Sequence, residues 1–193
     1  LKALLMYEDI HSFSKKIKDT TSIIECSIEK SLLLQSIGET EYAKKELQEA
    51  LKITKPKDSL LRKKLYINFS TYSRDSALYY LKKAKLFSQE KTKIDDFNLY
   101  NNIAWYYVVE NMPVKALKIM QKNIDFDKIE LYNNDYGAII HTMGAIYFQL
   151  SDYAKSVEYF ERALEDFKKR AAPDKILLTL NDLHTVYKKI GEQ

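Results

Sequence analysis

The chain has 193 residues, of which 46% are hydrophobic and 30% charged, and its 31 basic and 27 acidic side chains leave a net charge of +4. Such a balance lets a chain bury a core and stay in solution, and it lacks the concentrated basic stripe of a nucleic-acid surface. Four glycines and three prolines are too few for sheet turns or a phosphate-cradling loop, one cysteine excludes an intrachain disulfide, and no apolar run approaches the ~18 residues of a membrane span.

Hydrophobic periodicity predicts ten helices in chain order, at about 2–19, 22–36, 40–54, 58–72, 74–89, 94–110, 113–127, 133–149, 153–170 and 174–190. The first carries Leu1, Leu4, Leu5, Ile10, Phe13 and Ile17 at helical spacing. Its opening Leu1–Met6 run is too short for a signal segment and meets Glu8 and Asp9 at once. The chain does not begin with Met, which reads as a fragment or processed chain; a cytoplasmic location is expected, or a periplasmic one if a leader or anchor preceded residue 1. Pro56 and Pro173 fall between helix pairs, and Pro113 falls at a helix start, where its missing N–H costs nothing. The basic clusters Lys63-Lys64, Lys82-Lys83, Lys168-Lys169-Arg170 and Lys188-Lys189 lie among acidic or apolar neighbours and read as solvated helix faces.

The helices repeat in pairs. Met143-Gly144-x2-Tyr147 followed by Ser156-x3-Phe160-x2-Ala163-Leu164 has the spacing of Ile103-Ala104-x2-Tyr107 followed by Ala116-x3-Met120-x2-Asn123-Ile124. Ala77-x3-Leu81-x2-Ala84 and Ala43-x3-Leu47-x2-Ala50-Leu51 repeat the second half, and Leu180-x2-Leu183-His184-x2-Tyr187-x3-Gly191 repeats the first. The small residues Ala43, Ala77, Ala116 and Ser156 stand 34, 39 and 40 residues apart. Two helices approach closely only where side chains are small, so Ala104, Ala116, Gly144 and Ser156 are expected at crossings, with Tyr107, Met120, Tyr147 and Phe160 filling adjacent holes. Gly38 and Gly191 are expected to end helices.

This pattern resembles the tetratricopeptide repeat, a 34-residue helix–turn–helix with W-x2-L-G-x2-Y and a later A-x3-F-x2-A. Residues 137–169 match best, with Ser151-Asp152-Tyr153 in the place of the family's G-D-Y turn, and 97–128 match nearly as well. The resemblance implies an all-α fold, a right-handed superhelical array of antiparallel helix hairpins, in other words a tetratricopeptide-like α-solenoid. The whole chain reads as one array: an N-terminal helix at 1–21, hairpins at about 22–55, 58–92, 97–128 and 137–170, and an unpaired leading helix at 174–191.

Residue chemistry points away from catalysis. His11, His141 and His184 make no metal-ligand spacing, Cys26 has no sequence neighbour to activate it, and Asp95-Asp96 and Asp125-x-Asp127 sit near helix ends, where carboxylates suit the dipole. His184 takes the place of a small crossing residue. No enzyme activity, metal or cofactor is expected.

In the family the leading helices line a concave groove. Carried onto this chain, that face holds Arg62, Tyr66 and Phe69; Asn98, Asn101, Trp105, Val108 and Val109; Ala138, His141, Ala145, Phe148 and Gln149; and Asn181, Thr185 and Lys188. The principal partner-binding candidates are Arg62, Tyr66, Asn98, Asn101, Trp105, His141, Phe148, Gln149, Asn181 and Lys188. Amides can hydrogen-bond peptide groups and aromatics can bury apolar side chains, and Trp105 is the only tryptophan. The basic set of the carboxylate-gripping subtype is absent. The expected partner is a protein or peptide, with no nucleic acid bound and no membrane entered by this segment. Tyr72–Ala84 is similar to repeats that precede kinase or DNA-binding domains in bacterial regulators, which implies the sensory segment of a larger signalling protein. A scaffold subunit is the alternative, with self-association through an uncapped C-terminal end.

Overall fold

The computed structural model describes residues 2–88, 96–126 and 136–192. The described residues form ten α-helices and no strand: α1 (Lys2–Lys16), α2 (Thr20–Ser36), α3 (Thr40–Ile53), α4 (Ser59–Phe69), α5 (Arg74–Lys85), α6 (Phe97–Val109), α7 (Pro113–Asn123), α8 (Tyr136–Gln149), α9 (Tyr153–Lys169) and α10 (Pro173–Gly191). The protein is all-α. None of the described helices is long and apolar enough to cross a membrane. Two compact units divide the chain, Leu1–Ser88 and Gln89–Gln193.

Within the first unit α1 packs on α2, α2 on α3, α4 on α5, and α4 also meets α2 and α3. Within the second, α6 packs on α7, α8 on α9, and α10 on α9, while α8 touches α6, α7 and α10. Helix α9 shows why the segments fold so. Its buried residues Ser156, Phe160, Ala163, Leu164 and Phe167 recur at helical spacing on one face, and Asp152 caps its start by accepting from the Lys155 backbone N–H at 3.2 Å. Helix α8 is apolar on nearly every side because it is enclosed by neighbours; Ile139, Ile140, His141, Thr142, Met143, Gly144 and Ile146 are all buried.

The small-residue crossings hold. Ala43, Ala104, Ala116 and Ser156 have no exposed surface. At Gly144 an added Cβ would stand 2.7 Å from the Phe160 ring, and the Ser156 hydroxyl donates to the Gly144 carbonyl at 2.9 Å. Gly137, to which the sequence assigns no role, is a second close approach: its N–H donates to Asp166 Oδ2 at 3.1 Å, and a Cβ there would meet Phe167 at 2.7 Å.

One turn recurs five times among the described residues. Lys18, Gly38, Asn111, Ser151 and Ala171 each adopt positive φ, between 51° and 86°, at the centre of a three-residue connection. The hydrogen bonds repeat as well. Asp19 N–H donates to Ser14 O, Glu39 to Leu34, Met112 to Tyr107, Asp152 to Tyr147 and Ala172 to Phe167, at 2.8–3.0 Å. This is the Schellman end of a helix, whose left-handed residue is most often glycine. Here only one of the five is glycine.

The second pair of helices is shorter than its periodicity suggests. The sequence carries a helix to 72, yet α4 ends at Phe69. The hydroxyls of Ser70 and Thr71 donate to the carbonyls of Ile67 and Asn68, competing with the helical ladder. At the far end, Gly191 is the last residue of α10 rather than a left-handed cap beyond it. His184 is exposed, and Thr179, Leu183 and Val186 form the buried face of α10. Apolar side chains stay uncovered on the first and last helices, including Met6, Ile10 and Phe13 on α1 and Leu177, Leu180, Tyr187 and Ile190 on α10.

Two outcomes follow for stability. Ala171→Gly removes the steric cost of a left-handed alanine and is expected to raise stability by up to about 1 kcal/mol in urea unfolding. Gly144→Ala drives a methyl into the Phe160 ring and is expected to cost about 1–3 kcal/mol in the same measurement; an unchanged midpoint would mean that the crossing yields.

Candidate functional site

In the second unit the face shared by α6, α8 and α10 carries two adjoining pockets. The larger, about 260 Å³, is lined by Asn101, Asn102 and Trp105 from α6, by Ala138, His141 and Thr142 from α8, by Phe167, and by Lys175 and Leu178 from α10. The smaller, about 100 Å³, is lined by Val108, Ala145, Phe148, Gln149, Phe160, Asp182 and Thr185.

His141 stands between them. It is only 6% exposed, and its Nε2 lies 2.8 Å from Asp182 Oδ2. A carboxylate can only accept, so the ring nitrogen facing it carries the proton. Three aromatic rings surround the imidazole: Phe160 at 5.0 Å, Trp105 at 6.3 Å and Phe167 at 6.4 Å between centroids. The pair ties α8 to α10 and fixes where the Asp182 carboxylate points. Trp105 is 40% exposed, with part of its ring against His141 and part open to solvent.

Two amide oxygens on this face are buried without a partner. Gln149 Nε2 donates to the Val108 carbonyl at 2.9 Å, which holds the side chain in place and leaves Oε1 unpaired. Asn101 Oδ1 is likewise unpaired. Folded proteins leave few such atoms, because each forgoes a hydrogen bond worth about 1–3 kcal/mol to water. Asn101 lines the larger pocket and Gln149 the smaller.

The face inferred from the sequence is thus divided. Asn101, Trp105 and His141 meet in the larger pocket, and Phe148 and Gln149 in the smaller. Phe148 also leans on Tyr153, with ring centroids 5.9 Å apart. Asn98 is half-buried, and its carbonyl accepts from Asn102 Nδ2 at 2.7 Å. Asn181 and Lys188 are exposed on α10, outside both pockets. Arg62 and Tyr66 belong to the first unit and have tasks there. Arg62 donates from its guanidinium to the carbonyls of Thr54 (2.7 Å) and Lys55 (3.1 Å), closing the end of α3, and Tyr66 stacks on Tyr80 and Phe87. Phe69 is buried and stacks on Tyr80 at 5.1 Å.

Asp182, Lys175, Thr142 and Asn102 are the polar residues that sequence reasoning passes over. The repeat alignment sets Asn181 level with His141, yet Asp182 is the residue that reaches it, because neighbouring helices meet with a stagger. A stripe at Lys175, Leu178, Asp182 and Thr185, spaced three, four and three residues, is the signal that finds them.

Among the described residues no group of three or more His, Cys, Asp or Glu could hold a metal ion. Cys26 is buried, and burial pushes its thiol up, which keeps it in the unreactive protonated form. No family model matches the chain, and no curated protein matches it.

Arg62→Met keeps the stem and removes the donors to Thr54 and Lys55. It is expected to cost about 1–2 kcal/mol in chemical unfolding; an undiminished midpoint would show the carbonyls to be satisfied by water.

Proposed function

We propose that the chain is a protein- or peptide-binding module built from tetratricopeptide-type hairpins. The single observation that carries this reading is the open α6–α8–α10 face, where the part-exposed Trp105 borders a pocket of about 260 Å³ that Asn101 and Asn102 also line. A peptide supplies an apolar side chain for the tryptophan and backbone groups for side-chain amides. The tight three-residue turns and the small-residue crossings support the repeat type. The resemblance around Tyr72–Ala84 extends the proposal to a regulatory segment of a larger bacterial signalling protein, and a full-length gene encoding a kinase or DNA-binding domain would support that extension.

A second reading, a scaffold subunit, draws on the uncovered apolar side chains of α1 and α10. Light scattering across a concentration series separates the two, since a scaffold built on self-association gains mass while a monomeric peptide binder does not.

The direct test is selection of a random displayed-peptide library on the immobilised chain. Peptides are expected to be recovered, and Trp105→Ala is expected to weaken them at least about tenfold while shifting the melting temperature by no more than a few degrees. A large fall in melting temperature would make Trp105 a packing residue, and recovery of no peptide would remove the reading.

A further inference from the structure

The smaller pocket is chemically one-sided. Its walls are the rings of Phe148 and Phe160 with Val108 and Ala145, and its polar side chains are Asp182, Gln149 and Thr185. No lysine or arginine is among its lining residues. Two of the three donor hydrogens on these side chains are committed. Gln149 Nε2 is held by the Val108 carbonyl at 2.9 Å, and the Thr185 hydroxyl donates to the Asn181 carbonyl at 2.9 Å. What the pocket presents to a ligand is the Asp182 carboxylate and the lone pairs of the Thr185 oxygen, since Gln149 Oε1 is itself buried. A carboxylate beside two aromatic rings, with no basic residue in the lining, describes a site for a cation.

The kind of cation follows from Asp182. One of its oxygens, Oδ2, is already taken by His141. A guanidinium gains most from a bidentate grip on both carboxylate oxygens, and that grip is unavailable here. A primary ammonium needs one carboxylate oxygen and has a further N–H group for Thr185 Oγ1. A volume of about 100 Å³ suits the end of one unbranched side chain.

We infer that the slot between Phe148, Gln149, Asp182 and Thr185 is a specificity subsite for a primary ammonium group, occupied by a lysine side chain of the bound peptide. The inference rests on reading the α6–α8–α10 face as a peptide-binding face. It goes beyond that reading by naming the residue the peptide must carry. Phe148 and Phe160 flank the methylene stem, Asp182 supplies the charge, Thr185 Oγ1 accepts a second N–H, and His141 acts as a positioning residue that holds the carboxylate in place.

The test uses the whole chain and two sets of probes. In the first, n-butylammonium chloride is titrated against labelled protein and followed by nuclear magnetic resonance, with methylguanidinium and n-butanol as controls. Saturable shifts are expected at the Gln149 side-chain amide and at Thr185 for butylammonium, weaker ones for methylguanidinium and none for butanol. Asp182→Asn, which keeps an acceptor for His141, is expected to weaken butylammonium about tenfold or more, and Thr185→Val by less; thermal melting of both variants checks that the fold persists. No saturable shift, or equal shifts with butanol, overturns the inference. In the second, the blocked peptide acetyl-Gly-Gly-Lys-Gly-Gly-amide is compared with its norleucine counterpart and with the norleucine peptide bearing a free amino terminus. Tighter binding of the lysine peptide supports the inference, and preference for the free amino terminus overturns the assignment to a side chain. Library peptides that bind without any preference for lysine would sink the subsite and leave the binding module standing. Butylammonium binding with no peptide recovered would do the reverse.

Discussion

Everything in the second unit depends on how closely α8 and α9 cross. Gly144 has no side chain to hold the helices apart, the Phe160 ring fills the space a Cβ would need, and Ser156 closes the contact with a hydrogen bond to the Gly144 carbonyl. Because α9 lies so near, Phe160 also reaches His141, one turn before Gly144 on the same face of α8, with ring centroids 5.0 Å apart. The same ring therefore serves the crossing and the wall of the smaller pocket. A packing constraint, set by the absence of one methyl group, decides where a functional face can form.

The face itself combines features that folding alone would not select. Burying a hydrogen-bond acceptor without a donor opposes folding, and two residues that line this face, Asn101 and Gln149, do so. In the smaller pocket the Gln149 side chain is held rigidly, because its amide nitrogen is fastened to the Val108 carbonyl. Rigidity of this kind lowers the entropy lost when a ligand arrives. Trp105 contributes differently. It is anchored on one side by His141 and open on the other, an arrangement that offers apolar area with little freedom left to lose.

The sequence made the helices and their crossings legible for a plain reason. The spacing of small and large residues is the packing itself, written linearly, so the sequence alone places Ala104, Ala116, Gly144 and Ser156. Helix ends were less legible where side chains rival the backbone, as at Ser70 and Thr71. The candidate face was legible in part. Asn101, Trp105, His141, Phe148 and Gln149 come together, whereas Arg62 and Tyr66 are spent on the end of α3 and on an aromatic stack. A repeat alignment sees equivalent positions, but a pocket is built by whichever residues meet across a stagger. That is why Asp182 escaped it. The burial of His141 escaped it as well, since a histidine on a helix face looks alike whether or not a carboxylate waits opposite.

The five left-handed turns have a consequence for how such a chain can change over time. Lys18, Gly38, Asn111, Ser151 and Ala171 share one backbone geometry and are all exposed, yet they have almost no chemistry in common. The geometry is therefore imposed by the two helices that each turn joins, and the residue merely tolerates it. A substitution at one of these corners can therefore leave the helices where they are, because the hydrogen-bonded frame does not depend on which side chain stands at the bend.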